Sequence, residues 1–201
     1  MVMRKVHIPI VLPEWFFRLR LWLLLRYRKL RYGYTFRKIP LTQGKYTIVD
    51  PQRYEELAKY KWFAVRSESG YYALRMTKAK KGSGVRQKGV RMHRVILKPT
   101  KGKFIDHINH NGLDNRRANL RICTAQQNTW NKRKQRGNYS SKYKGVTWLR
   151  SENKWQVRIV CNGKRIFIGY FDDEKAAAMA YDDKAKELFG EYAALNLECR
   201  I

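Results

Sequence analysis

Residues 104–131 read FIDHINHNGLDNRRANLRICTAQQNTWN and hold the densest polar chemistry of the chain. Phe104–Ile108 is a short apolar run that reads as a strand and carries Asp106 and His107 side by side. Residues 109–119 are rich in Asn, Asp and Gly, which tolerate turn geometry, and read as a loop. Leu120–Cys123 reads as a second strand. Thr124 then offers an N-cap hydroxyl to a helix running through Asn128 to Asn131 or Lys132. Strict alternation sends Asp106 and His107 to opposite faces of their strand. A strand end relaxes that rule, so spacing alone leaves one shared site and two separate faces both open. The residue types themselves point to metal-assisted hydrolysis. A carboxylate and an amide oxygen suit a hard cation such as Mg²⁺. An imidazole, with an ordinary pKa of about 6.5, can take a proton from water near neutral pH.

The surrounding chain has 201 residues, with 44 Lys and Arg against 16 Asp and Glu, a formal net charge of +28. Hydrophobic residues make up 44%, enough to bury cores, which excludes a disordered basic tail. A charge this high repels itself unless an anionic partner screens it. Nucleic acid is the first such partner and an anionic membrane surface the second; an enzyme of small neutral metabolites is disfavoured. The charge is uneven at the C-terminal end. Residues 140–171 carry seven basic residues and one acidic, residues 172–201 four and eight. That split gives one face to a polyanion and turns another away from it. Cys123, Cys161 and Cys199 lie far apart and form no Cys-x-x-Cys pair, so neither a disulfide framework nor a cysteine-held zinc is expected. A reducing, intracellular setting fits.

Upstream, residues 14–31 (EWFFRLRLWLLLRYRKLR) read as a helix with apolar and arginine positions mixed. The longest uninterrupted apolar run, Leu21–Leu25, is far short of the roughly 20 residues that a membrane span needs. No small-residue cleavage site follows, so a signal peptide is not expected either. Residues 1–38 are therefore set apart as a basic N-terminal extension. From Ile39 the texture changes. Lys45–Asp50 reads as a strand and Pro51 as the first residue of a helix capped by Asp50, with Tyr54, Leu57 and Ala58 on one face. Tyr60–Val65 and Tyr71–Met76 read as strands around a Ser-Glu-Ser-Gly turn, Lys78–Gly89 as a basic loop, and Met92–Leu97 as a short apolar stretch. The polar, basic residues near 131–142 read as a linker, taken as 133–141.

Downstream, Lys142–Arg150, Lys154–Cys161 and Lys164–Tyr170 read as three strands, the last two joined by an Asn162-Gly163 hairpin. Trp155, Val157, Ile159 and Cys161 share one face, as do Ile166 and Ile168 of the third strand, and these form the core. The opposite face shows Arg158, Arg165 and Phe167, and with them Lys144, Thr147 and Arg150. Asp172 or Asp173 caps a helix through EKAAAMAYDDKAKELFG, whose Ala177, Ala180, Tyr181, Ala185, Leu188 and Phe189 recur at helical spacing to cover the apolar sheet face.

Two resemblances attach to these residues. Asp106-His107, Asn119 within Asn-Leu-Arg, Asn128 on the following helix, and the upstream Met92-His93-Arg94 resemble the HNH endonuclease motif of phage and intron homing enzymes, a mobile-element class. That resemblance implies a ββα-metal nuclease domain over residues 39–132, with its core at about 103–132: two antiparallel strands and a helix gripping one divalent metal. It implies His107 as the base that activates water, Asp106 and Asn128 as ligands of Mg²⁺ or Mn²⁺, and Asn119 as the residue whose hydrogen bonds hold the loop and orient His107. The third motif position is Asn here rather than His.

Residues 140–198 resemble the Apetala-2/ethylene-response-factor (ERF) DNA-binding domain. The match runs through Tyr143-Lys144-Gly145-Val146, Lys154-Trp155, Gly163-Lys164-Arg165, Ile168-Gly169-Tyr170-Phe171, Ala176-Ala177, Ala180-Tyr181-Asp182 and Leu195-Asn196. It implies that residues 142–198 form a three-stranded antiparallel sheet packed on one helix, with DNA contacts from Lys144, Thr147, Arg158, Arg165 and Phe167. Thr147, Leu149 and Val160 stand where the plant pattern has Arg, which argues against a plant-type target. Together the resemblances imply an α+β, sequence-targeted, metal-dependent endonuclease of bacterial or phage origin. It would be cytoplasmic and nucleoid-associated, a monomer acting on double-stranded DNA, with no small-molecule substrate and no membrane. A DNA-binding regulator with a catalytically inactive HNH-like fold is the alternative reading. A membrane-associated basic protein using residues 14–31 is the third.

Overall fold

A computed structural model describes residues 12–68, 70–77, 87–135 and 137–197. The expected loop Lys78–Gly89 lies largely outside these residues, as do Ser69, Arg136 and Cys199. The fold is mixed helix and sheet, of the expected α+β class. It divides into two compact units. The first takes the described residues up to Met92 together with Gly112–Ala118; the second takes His93–Asn111 and the described residues from Asn119 onward.

In the first unit, α1 (Glu14–Tyr32) ends at Gly33, whose φ of 79° is a left-handed conformation that glycine adopts without strain. No residue of α1 is buried, and Trp15, Trp22 and Leu30 stand exposed. No helix among the described residues is long and apolar enough to cross a membrane. Strands β1 (Arg37–Pro40) and β2 (Tyr46–Val49) pair antiparallel. Pro51 does open a helical turn, Pro51–Arg53, which runs into α2 (Tyr54–Ala58). Asp50 does not cap it; its Oδ2 accepts from Arg117 N at 2.6 Å instead. Strands β3 (Phe63–Ser67), β4 (Gly70–Met76) and β5 (Gly89–Arg91) form an antiparallel sheet in chain order. Ile39, Val49, Leu57, Trp62, Ala73 and Met92 are buried here. The segment Gly112–Ala118 joins β2, with Ile48 N donating to Leu113 O and Asn115 N donating to Ile48 O.

The apolar stretch Met92–Leu97 is a helix, α3, and the division between the units falls at its first residue. In the second unit, β6 (Phe104–His107) pairs antiparallel with β7 (Leu120–Cys123), and α4 (Ala125–Trp130) follows. Strands β8 (Val146–Leu149), β9 (Lys154–Cys161) and β10 (Lys164–Phe171) make a second antiparallel sheet with β9 in the middle, followed by α5 (Glu174–Phe189). Val146, Val157 and Ile159 of this sheet cluster with Ala177, Ala178, Tyr181, Ala185 and Phe189 of α5. Alanines at the contact let the helix approach closely. Asp173 caps α5 by accepting from Ala176 N at 2.7 Å. The buried Asp182 accepts from Asn196 N and Leu197 N, and Asn196 in turn bonds the backbone of Lys144 at both N and O.

Strand β8 begins at Val146, later than expected, because Gly145 has φ 77° and its carbonyl turns to accept from Arg158 N. A Cβ on Gly145 would lie 2.2 Å from the Tyr181 ring and 2.6 Å from Arg158 O. Gly145→Ala therefore combines a left-handed backbone with a clash that backbone atoms cannot relieve. A destabilisation of about 3 kcal/mol or more is expected by urea denaturation. A loss below about 1 kcal/mol would mean that β8 and α5 yield more easily than their packing implies.

Candidate functional site

Strand β6 ends in two buried residues. Asp106 is 7% exposed and His107 5%, so neither of the two open arrangements reduces to simple alternation between core and solvent. Arg121 sits directly opposite Asp106 on β7, and its Nε and Nη2 donate to Asp106 Oδ2 at 2.9 and 2.8 Å. From beyond the end of α4, Asn131 Nδ2 reaches Asp106 Oδ1 at 2.9 Å, Oδ2 at 2.8 Å, and His107 O at 3.4 Å. One amide group thus ties the Asp106 carboxylate to the His107 backbone. The His107 ring meets the buried His93 edge to face, with centroids 5.1 Å apart.

Asn119 joins the two ends of the loop. Its Oδ1 accepts from Asn109 N and its carbonyl from Ile108 N, both at 2.9 Å. His110 N donates to His107 O at 2.9 Å. Burial, and then the Arg133 charge, push the His110 imidazole down to about 4, so it is neutral at physiological pH. Burial pushes the Cys123 thiol up to about 11, which keeps it unreactive. Within the same loop, Asp114 and Asn115 are buried rather than exposed turn residues. Asp114 pairs with Arg116, and Asn115 Nδ2 donates to Thr47 Oγ1.

Helix α4 presents Asn128. Thr124 Oγ1 accepts from Gln127 N while Gln127 Oε1 accepts from Thr124 N, a capping box that fixes the helix start. Asn128 is partly exposed and its side chain makes no hydrogen bond among the described residues. Asp106 Oδ1 is met by Asn131 and, having two lone pairs, keeps one acceptor position. These are hard oxygen donors of the kind that Mg²⁺ or Mn²⁺ takes, and Mg²⁺ commonly binds through one or two protein ligands, with waters and substrate phosphate completing its shell. The residues present therefore fit such an ion. Among the described residues there is no cluster of three or more His, Cys, Asp or Glu.

A second candidate surface is the outer face of the β8–β9–β10 sheet. Thr147, Arg150, Arg158 and Arg165 are exposed, and Phe167 is 51% exposed opposite Arg158. A bulge between Phe167 and Gly169 breaks the alternation of β10. Tyr170, which strict parity would turn inward with Ile168, comes out beside Phe167 with ring centroids 5.0 Å apart. Lys144 does not join this face. It precedes β8, and its Nζ donates to Trp130 O at 2.9 Å and Lys132 O at 2.7 Å at the end of α4. Burial lowers its ammonium to about 8.

Three residues of these sites escape a reading of the sequence. Arg121 had a usable signal, since an arginine facing an aspartate across an antiparallel pair is a favourable cross-strand contact once the register is known. Asn131 had none beyond its place at the helix end. Tyr170 depends on a bulge that alternation does not announce.

Known proteins match both most of the chain and separate parts of it. Residues 91–129 match the family described as HNH endonuclease. An uncharacterized HNH endonuclease of Acanthamoeba polyphaga mimivirus is 35% identical over 163 residues, covering 77% of this chain and 76% of the relative. Protein 3.8 of Escherichia phage T7 is 31% identical over 93 residues, 46% of this chain and 75% of the relative. APETALA2-like protein 2 of Oryza sativa is 39% identical over 83 residues, 40% of this chain and 19% of the plant protein, with the match in the C-terminal part. No solved structure matches.

Asp106 is buried and its partner Arg121 largely so, and removing the guanidinium leaves a buried carboxylate without its counter-charge. Arg121→Met is expected to cost about 3 kcal/mol in urea denaturation. Adding Asp106→Leu should restore part of the loss. A double mutant no better than the single would show that the pair is not what holds β6 to β7.

Proposed function

This chain belongs to the HNH endonuclease family, and we propose that it hydrolyses phosphodiester bonds of double-stranded DNA at sites selected by its C-terminal sheet. The observation that carries this reading is the end of β6, where Asp106 and His107 are both buried and are held together by Asn131. In the proposed mechanism the His107 imidazole accepts a proton from the attacking water. Asn119 closes the loop at Ile108 and Asn109, which limits the conformations open to the His107 backbone. Asn131 holds the His107 carbonyl and the Asp106 carboxylate in one frame. Asp106 and Asn128 would hold the divalent cation, Mg²⁺ or Mn²⁺. When bound, it would supply stabilisation of the negative charge that develops on the leaving oxygen.

DNA selection is assigned to Thr147, Arg150, Arg158, Arg165 and Phe167, a basic and aromatic sheet face of the kind that can enter a major groove. The partner is double-stranded DNA, with no small-molecule substrate, and the protein acts as a monomer. Supercoiled plasmid incubated with Mg²⁺ tests the reading. His107→Ala should slow cleavage by about a hundredfold or more while DNA binding is retained, and EDTA should stop it. Cleavage at the wild-type rate in His107→Ala would remove His107 as the base. Binding without cleavage by the wild type on any DNA would favour a regulator. Arg158→Ala should weaken duplex binding and lower the slope of log K against log salt by about one if the side chain meets a phosphate. An unchanged slope and affinity would take Arg158 off the DNA.

A further inference from the structure

The residue that departs from its expected surface is Lys144. At the C-terminal end of α4 the last carbonyls have no partners within the helix. Lys144 Nζ donates to two oxygens there, Trp130 O and Lys132 O. A cation is the favourable group at that end of a helix. The same helix is gripped at other points by the C-terminal part of the unit. The Trp130 ring stacks on Phe189 of α5, with centroids 4.6 Å apart and planes at 15°. Gln126 Nε2 donates to Asn162 Oδ1 in the β9–β10 turn at 2.6 Å. Arg121 on β7 donates to Glu191 O and lies over the Tyr192 ring. The stretch expected to be a linker is bonded as well, with Lys134 Nζ donating to Ser141 O and Tyr143 O at 2.9 Å each.

We propose that Lys144 is a positioning residue of the nuclease site and not a reader of DNA: it caps α4, and with the Trp130–Phe189 stack it fixes the helix that carries Asn128 to the DNA-reading sheet. Partial burial of its ammonium supports this, because a lysine that meets phosphate from a groove face keeps its hydration until DNA arrives. The functional part of the inference rests on the nuclease reading above; the structural part does not.

The test compares full-length wild type, Lys144→Met and Lys144→Arg. Hydrogen exchange in the absence of metal and DNA is measured over residues 125–130, with α5 as the folding control. Lys144→Met should speed exchange in α4 by about tenfold, the loss of a hydrogen bond to a charged group, and Lys144→Arg should restore it. If exchange in α5 rises equally, Lys144→Gln replaces Lys144→Met. Binding to a fluorescent 30-base-pair duplex of arbitrary sequence in EDTA should keep its affinity and salt slope. Plasmid cleavage should need about tenfold more Mg²⁺ for half its maximal rate, as with other groups that orient a metal ligand. Unchanged α4 exchange, or a salt slope reduced by about one, overturns the proposal and returns Lys144 to the DNA face. If wild-type protein cleaves no plasmid, the nuclease reading fails, and hydrogen exchange still decides what Lys144 does.

Discussion

A carboxylate taken out of water must be compensated, and at the candidate site of the second unit the carboxylate in question is Asp106. Arg121 compensates its charge at Oδ2, and Asn131 donates to the same carboxylate while Oδ1 keeps an acceptor position. Each partner belongs to a different element. Arg121 brings β7 into register with β6, so that His107 faces Leu120 at the strand end. Asn131 brings the end of α4 onto the same carboxylate and extends to the His107 carbonyl. Strand, strand and helix are thus tied through one buried anion, and His107, the base of the proposed mechanism, is the residue next to it. Arg121 continues outward to Glu191 and Tyr192, so the clamp does not stop at the site.

The excess of positive charge raises a different problem, because +28 on one chain opposes compaction. The first unit stores part of its cations on aromatic faces. Arg37 lies over Tyr54 and Arg116 over Tyr34, both at 3.3 Å from the ring centroid, Lys38 lies over Tyr46, Arg75 over Tyr60 and Arg91 over Tyr72. Each such contact contributes roughly 0.5–1 kcal/mol at an exposed site and leaves the charge in place. The field that would attract DNA is therefore retained while the side chains that create it are ordered. Asp114 with Arg116 adds a part-buried ion pair to this unit, and Asn115 with Thr47 anchors the same segment to β2.

The sequence made some of this legible for definite physical reasons. Leu120–Cys123 and Lys154–Cys161 are strands at the expected residues, the second because a sustained period-two pattern has one structural reading. The Thr124 cap, the Asp173 cap and the Asn162-Gly163 turn are local, and local chemistry decides them. What could not be read is long-range. Asp50 looks like a helix cap from its neighbours, yet its oxygen serves Arg117, far away in sequence. Asp114 and Asn115 look like turn residues from their composition, yet both are buried. Met92–Leu97 is too short for periodicity to distinguish helix from strand. The bulge in β10 changes a face without changing composition, and this brings Tyr170 out beside Phe167.

Lys144 shows how a family pattern and a local structure can assign one residue to two tasks. A module joined by a free tether raises the local concentration of the nuclease near its target but leaves the cut position to the tether. A module whose turn, helix and preceding lysine all hold α4 removes that freedom. The conformations lost in ordering the joint are lost on folding and not again on DNA binding, so preorganisation favours the bound complex. Asn128, one turn before the capped end, then keeps a constant relation to the sheet face carrying Arg158 and Phe167. The same stiffness has a cost. A DNA sequence that seated the sheet in a slightly different register would displace the backbone to be cut by the same amount. Under the proposed function, selectivity would then arise at the cleavage step as well as at binding, because an α4 held in this way would not move independently to follow the phosphate.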